Sequence, residues 1–217
     1  MKEKARELLR RGAEEIGIAI TENEIGKFGM FADELKKWNR KINLTAITDD
    51  SAIVVKHFLD SLTLLKTVGG QGSLLDIGSG GGFPAIPLKI MSRELNVTSV
   101  DAVEKKIIFQ RHVMRTLQLH DFCALHARGE ELAAKHAGTF DWVVSRAFSD
   151  IPTFVNLALP LLSDGGKIVA MKGKGGLDEV LAAEKSLSTS GARIIETVEL
   201  RLPISGDSRI LVVIARA

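Results

Sequence analysis

Tyrosine is missing altogether from the 217 residues, cysteine occurs once, proline five times, and aromatic side chains amount to only 5%. Each scarcity excludes something. A lone Cys123 cannot close an internal disulfide, so a stapled scaffold is ruled out; the thiol reads as a small apolar filler in a reducing compartment. Nowhere do 18 apolar residues run together, which leaves no segment to span a bilayer as a helix. Met1 to Gly12 carry charge at nearly every other position and lack the apolar stretch of a secretory leader. A cytoplasmic protein without membrane association is therefore expected. Hydrophobic residues at 45% and charged residues at 26% suit an ordinary globular core. The length fits one principal domain with an appendage. A net charge of +2 permits a polyanionic partner without demanding one.

Two grammars divide the chain. Residues 1–68 contain no proline and read as a helical extension. Thr21 and Glu24 form a capping box, followed by Ile25, Phe28, Phe31, Leu35 and Trp38 at three- or four-residue spacing. This spacing places Trp38 in the core. Asn39 to Thr48 interrupts the pattern, and Asp49, Asp50 and Ser51 can cap a further helix through His57 and Leu62. His57 and Asp60, one turn apart, can bond each other; no accompanying ligand spacing suggests a metal.

From residue 69 to 217 short apolar runs alternate with helical stretches. Strands are expected at Ser73 to Ile77, Asn96 to Val100, Phe122 to Ala127, Phe140 to Val144, Lys167 to Met171, Ile194 to Leu200 and Ile210 to Ala215. Trp142 is expected to be buried. Helices are expected at Pro84 to Leu95, Lys105 to Leu119, Ile151 to Leu161 and Leu177 to Thr189. Such alternation predicts a mostly parallel, Rossmann-like α/β sheet of seven strands. The last two strands lack an intervening helix and can pair as an antiparallel hairpin.

The first strand runs into Asp76-Ile77-Gly78-Ser79-Gly80-Gly81-Gly82-Phe83-Pro84, a glycine turn at the edge where this architecture holds nucleotides. Glycines such as Gly78, Gly80 and Gly82 admit positive φ and close approach of a ligand. Phe83 stands where a dinucleotide fingerprint wants Gly or Ala, and no phosphate-binding Gly-Lys-Ser/Thr follows. Asp76 would repel a pyrophosphate, yet it suits the amino group and sulfonium of S-adenosyl-L-methionine. Asp101, at the end of the second strand, can accept from both ribose hydroxyls. Gly129 and Glu130 can meet the adenine with a backbone N–H and a carboxylate. The constellation predicts a class I methyltransferase.

The reaction class leaves traces after the fourth strand. Ser145-Arg146-Ala147-Phe148 replaces the Asn/Asp-Pro-Pro-Tyr/Phe element of exocyclic-nitrogen enzymes, and Cys123 is misplaced for a pyrimidine nucleophile. A ring nitrogen such as guanine N7 needs only orientation, for which Arg146 is the candidate catalytic residue; it can equally pair with a nearby acid. Lys36, Lys37, Arg40, Lys41 and Lys56 with Lys172 and Lys174 could track a phosphate backbone. Without tyrosine, base stacking falls to Phe83, Phe148 or a tryptophan. A small-molecule methyltransferase, a nicotinamide-dependent oxidoreductase and a non-catalytic RNA-binding module remain open.

Over nearly its whole length the sequence resembles the RsmG (GidB, glucose-inhibited division protein B) methyltransferases of bacterial small-subunit ribosomal RNA. Trp38-Asn39, Asn43-Leu44-Thr45 and His57 with Asp60-Ser61 are similar to that family's N-terminal signature. The glycine loop with Ile86-Pro87-Leu88, Ser145-Arg146-Ala147-Phe148, Lys172-Gly173 and Arg209-Ile210-Leu211-Val212-Val213-Ile214 resemble its later motifs. The resemblance implies methylation of N7 of guanosine 527 in 16S rRNA, with S-adenosyl-L-methionine as cofactor and the small ribosomal subunit as partner. Gly78, Phe83, Gly129, Glu130 and Arg146 fall on cofactor positions, and Lys172, Arg209, His57, Arg40 and Lys41 on the RNA side. Ala85 departs from the glycine common there, which matters only where positive φ is required.

Overall fold

The computed structural model describes every residue except Ala147 and Ser149. The N-terminal part holds α1 (Glu3–Glu15) and α2 (Glu22–Asn39), then a helical run of α3 (Asp50–Ile53), a π-helical stretch (Val54–Leu59) and α4 (Asp60–Leu62), and α5 (Leu65–Val68). The capping box of α2 is present, with Thr21 accepting from the Glu24 N–H and the Glu24 carboxylate accepting from the Thr21 N–H. Asp49 caps α3 by accepting from the Ala52 N–H at 3.0 Å. The expected interruption after Asn39 is secured by that residue: its side chain accepts from the Leu44 and Thr45 N–H groups and donates to the Thr45 carbonyl.

Then follow β1 (Gly72–Ile77), α6 (Ala85–Met91), β2 (Leu95–Asp101), α7 (Glu104–Leu117), β3 (Phe122–His126), α8 (Gly129–His136) and β4 (Phe140–Arg146). The chain ends with α9 (Ile151–Ala158), β5 (Leu162–Lys172), α10 (Gly176–Thr189), β6 (Ala192–Arg201) and β7 (Ser208–Arg216). The sheet order is β3-β2-β1-β4-β5-β7-β6. Pairings are parallel except those of β7, which runs antiparallel to both β5 and β6. The expected hairpin is therefore present, with β7 slotted inside the sheet.

Neighbouring residues of the strands point to opposite faces and split the core in two. Leu74, Val144, Val169 and Leu211 join one layer, shared by α6, α7 and the N-terminal helices. Leu75, Val143, Ile168 and Val212 join the other, under α8, α9 and α10. The N-terminal helices thus have no separate core; they complete one side of the sheet. Phe31 is fully buried at their junction, its ring centroid 5.5 Å from Phe58, 5.2 Å from Phe83 and 6.4 Å from Phe109.

Several expectations need correction. The helix expected to reach Leu95 ends at Met91, because Leu95 already starts β2. Helix α8 was not expected: Gly129 opens it and only Leu132 is buried, so eight residues carry too little apolar period to read. Strand β5 begins five residues early, passing through Gly165 and Gly166 with a register shift opposite Phe140 and Trp142. Trp142 is half-buried, with the Lys167 ammonium 5.5 Å from its ring centroid. Trp38 is half-buried as well, its indole against Phe109 and His112 at the border of the core. Cys123 is exposed on the edge strand β3, not an internal filler.

Phe31→Ala should cost about 3–5 kcal/mol, since truncation leaves a cavity bordered by three other rings. A urea titration followed by circular dichroism reads the loss, and an unchanged midpoint would contradict this packing.

Candidate active site

The glycine loop is held from below by side chains that ordinary pattern reading passes over. Gln110, fully buried on α7, donates to Ser79 Oγ at 2.8 Å and to the Gly80 carbonyl at 3.0 Å, and accepts from Ser99 Oγ at 2.6 Å. The signal was available: Gln110 sits on the apolar face of its helix, three residues from Ile107 and Val113. A polar group there is retained only if fully bonded.

Gly78, Gly80 and Gly82 have φ of 76°, 58° and 86°. A Cβ on Gly78 or Gly80 would enter open space, whereas one on Gly82 would stand 2.3 Å from Ile86 Cδ1. The first two glycines keep a cradle clear, and the third lets α6 pack close. Ala85 has ordinary φ and is fully buried, so its methyl group is compatible with the loop.

Asp76 is wholly enclosed. Its Oδ2 accepts from the Ala85 N–H at 3.2 Å while Oδ1 has no partner, and burial pushes its carboxyl well above the ordinary carboxylate range. It therefore lies beneath the loop, outside the wall of the neighbouring cavity. Asp101 does reach that wall, and its oxygens also accept from the Gly80 N–H (2.9 Å) and the Val103 N–H (2.8 Å). Each oxygen keeps a second lone pair. Gly129 and Glu130 complete the far side, with Phe148, Leu157, Val100 and Ile77 as apolar lining. The resulting slot of about 290 Å3 offers two carboxylate acceptors and apolar flanks, which suit the hydroxyl and amino donors and the flat base of a nucleoside. These residues fit S-adenosyl-L-methionine.

Phe83 is placed differently from expectation. It is 3% exposed, stacks on His57 at 4.4 Å and touches Phe31 and Phe58, so neither cofactor nor base can stack on it. Phe148, half-buried in the slot, is the remaining candidate. Ala147, between it and Arg146, lies outside the described residues.

Arg146 ends β4 and borders a second cavity, of about 440 Å3, lined also by Ile47, Lys56, His57, Asp60, Lys172 and Arg209. Its Nη1 donates to the Lys56 carbonyl at 3.1 Å and lies 3.4 Å from Asp60 Oδ2; its guanidinium sits 5.1 Å from the Phe83 ring centroid. The pairing with an acid is thus real. His57 and Asp60 do not bond each other, because α-helical spacing does not hold through a π-helical stretch; both turn to Arg146 instead. The Arg146 guanidinium nitrogens lie 3.3 and 3.4 Å from His57 Nδ1, which also faces the Lys56 carbonyl at 3.1 Å, while Nε2 faces Thr45 Oγ1 at 2.7 Å. Burial, and then the Arg146 charge, lower the His57 pKa to about 4.

The basic residues separate into two groups. Lys172 is buried and neutralised by Glu179 at 2.6 Å, while donating to the Phe148 carbonyl, so it braces the site and does not reach for phosphate. Lys36 pairs with Asp50 and Lys37 with Glu34. Arg40, Lys41, Lys56 and Lys174 are exposed. Arg209 borders both this cavity and a groove shared with Lys174 and Arg201. Among the described residues no group of three or more His, Cys, Asp or Glu could hold a metal ion, and no helix is long and apolar enough to cross a membrane.

A sheet whose order reverses between β1 and β4, closed by an inserted antiparallel β7, with a glycine loop and acids at two strand ends, defines a Rossmann-like S-adenosylmethionine-dependent methyltransferase. The fold is shared with a SAM-dependent methyltransferase from Aquifex aeolicus at a TM-score of 0.60 and 17% identity, covering 85% of this chain and 98% of that one. Residues 24–205 match the family GidB, rRNA small subunit methyltransferase G, and the chain belongs to that family. Ribosomal RNA small subunit methyltransferase G of Geotalea uraniireducens is 62% identical over 100% of this chain and 99% of its own. The protein of the same name from Deinococcus radiodurans is 41% identical over 97% of this chain and 85% of its own.

Two outcomes are expected. Gln110→Leu should lower affinity for S-adenosylmethionine by about tenfold, because the loop loses two bonds worth about 1 kcal/mol each; calorimetric titration measures it, and wild-type affinity would show that the loop stands without this support. The unfolded chain protonates His57 near pH 6.5 and the folded chain only near 4. Stability should therefore fall by up to roughly 3 kcal/mol as pH drops through that window, with no contribution above it. His57→Gln should flatten this part of the pH–stability curve; an unaltered slope would refute the buried neutral imidazole.

Proposed function

We propose that this chain transfers the methyl group of S-adenosyl-L-methionine to N7 of guanosine 527 in 16S rRNA, acting on the small ribosomal subunit in the cytoplasm. One observation carries the reading: Arg146 borders one cavity and Phe148, two residues on, borders the other. Phe148 thus lines the slot with the carboxylates, and Arg146 lines the arginine-bearing recess. Family membership, with relatives named for small-subunit ribosomal RNA, supports this choice of substrate.

The residues divide the work. Asp101 takes the ribose side of the slot and Glu130 with the Gly129 N–H the adenine side, while Gly78 and Gly80 keep the approach clear. Enclosed Asp76 holds α6 to the loop and sets a carboxyl beneath the cofactor's amino acid end. When bound, S-adenosylmethionine supplies an electrophilic methyl group on a sulfonium. Guanine N7 already carries a lone pair, so no side chain has to remove a proton; the protein has to orient the base. An arginine fork on O6 and N7 together would occupy the attacking lone pair. Arg146 directs Nη1 at the Lys56 carbonyl and Asp60, which leaves N7 clear and suits it to fixing the base edge or the segment beside it. Arg40, Lys41, Lys56 and Lys174 are exposed cations available to phosphates, whereas Arg209 is held by Asp60 and Lys172 by Glu179.

Radiolabelled S-adenosylmethionine with small subunits from cells lacking this activity should place label on guanine N7 at the stated position. Absence of label on subunits and on stripped RNA, with cofactor binding intact, would overturn the substrate. Arg146→Ala should reduce turnover about 100-fold with little change in cofactor affinity, since misplacing the base costs rate more than binding. Replacing Arg40 and Lys41 by Gln should make the salt dependence of RNA binding shallower by roughly one unit of slope per lost phosphate contact; an unaltered slope would remove them from the interface.

A further inference from the structure

We infer that Asp60 is a positioning residue that holds Arg146 and Arg209 together in one fixed arrangement at the recess where the base is oriented. The inference rests on the reading of that recess as the site of methyl transfer. Asp60 is 4% exposed, yet its two oxygens face two different guanidinium groups: Oδ1 accepts from Arg209 Nε at 2.8 Å and Oδ2 lies 3.4 Å from Arg146 Nη1. The three side chains come from α4, the end of β4 and the start of β7, segments far apart in sequence. Arg146 is further held at the Lys56 carbonyl and beside His57, and Arg209 at the Ser208 carbonyl at 2.9 Å. A carboxylate shared between planar guanidinium groups constrains their orientation as well as their distance.

Charge makes the shared acid necessary. Arg146 and Arg209 repel each other, as the lowering effect of Arg209 on the Arg146 pKa records. Among the described residues Asp60 is the acid that lines the recess, with enclosed Asp76 acting on Arg146 from outside it; Lys172 also borders the recess but is already matched by Glu179 from α10, and Lys56 faces solvent. Burial and the adjacent Arg146 charge keep His57 neutral, so it supplies no counter-charge. Asp60 is thus what keeps two like charges side by side. Without it the arginines separate, and Arg146 leaves its place against His57.

His57 reports that departure. Facing it are Lys56 and Asp60 from its own helical run, Arg146 from β4, Thr45 from the preceding loop and Phe83 from the glycine loop, with Arg209 beyond Asp60. Deleting the Asp60 charge alone removes an anion near the ring and would lower the His57 pKa further. Release of Arg146 would raise it. The two effects have opposite sign; because burial is the larger cause of the lowering, general loosening would raise the pKa as well, and an unchanged urea midpoint by circular dichroism on the same preparation separates that case.

The experiment is an NMR titration of the His57 imidazole in the full chain as Asp60→Asn, with cofactor affinity and the kcat and KM for small subunits measured on the same preparation. Expected are a His57 pKa raised from about 4 toward 6.5, kcat lower by about 100-fold, and cofactor affinity within about twofold of the parent. Asp60→Glu, which keeps the charge but displaces it by one methylene, should fall between the two in kcat, and it serves alone if Asp60→Asn does not fold. A His57 pKa that stays at about 4 or drops, or parental kcat in the Glu variant, overturns the inference. If the parent protein labels no subunit, the substrate proposed above fails, while the imidazole titration still decides whether Asp60 sets Arg146.

Discussion

The burial of Phe83 against the N-terminal helices is the contact on which the rest of the arrangement depends. This ring directly follows the glycine loop and is packed against Phe31, Phe58 and His57. The loop that faces the cofactor is thereby fixed from its outer side by α2 and the π-helical stretch, just as Gln110 fixes it from within. The position of the loop and the position of the recess around His57 are then not independent: a displacement of the helices moves both. This explains why a segment that could have been a mere appendage shares its hydrophobic layer with the sheet.

Polar groups in this region follow one rule: each buried charge has its counterpart on a different element. Asp60 on α4 meets arginines from β4 and β7; Lys172 on β5 meets Glu179 on α10. Such pairs add little net stability, because desolvation offsets most of the attraction. Their value here lies in geometry, since each fixes the mutual placement of elements that border the two cavities. Asp76 differs: it is enclosed under the glycine loop, burial pushes its carboxyl well above the ordinary carboxylate range, and one of its oxygens has no partner.

Legibility in the sequence followed physical locality. The alternation of β and α segments, the final hairpin and the capping box could be read because each rests on a short-range period or a cap. Asp101, Gly129 and Glu130 could be placed because strand ends carry the ligand residues in this architecture. What could not be read was the outcome of long-range competition. Phe83 looked available to a ligand until α2 and the π-helical stretch came to cover it. Lys172 looked like a phosphate contact until Glu179, seven residues on, reached it across the start of α10. His57 and Asp60 looked like partners by α-helical spacing, but a π stretch and an arginine from 86 residues beyond Asp60 redirected both.

The insertion of β7 between β5 and β6 bears on how the molecule is made. Strand β6 is not paired with β5, so it has no place in the sheet until residues Ser208–Arg216 have been synthesised. Arg209, at the start of that strand, reaches Asp60 only then. Chains fold from the N-terminus as they emerge, yet here the recess is completed only by a strand that follows all the other elements lining it. A nascent chain can therefore hold its glycine loop and still be unable to close the site until Arg209 has emerged.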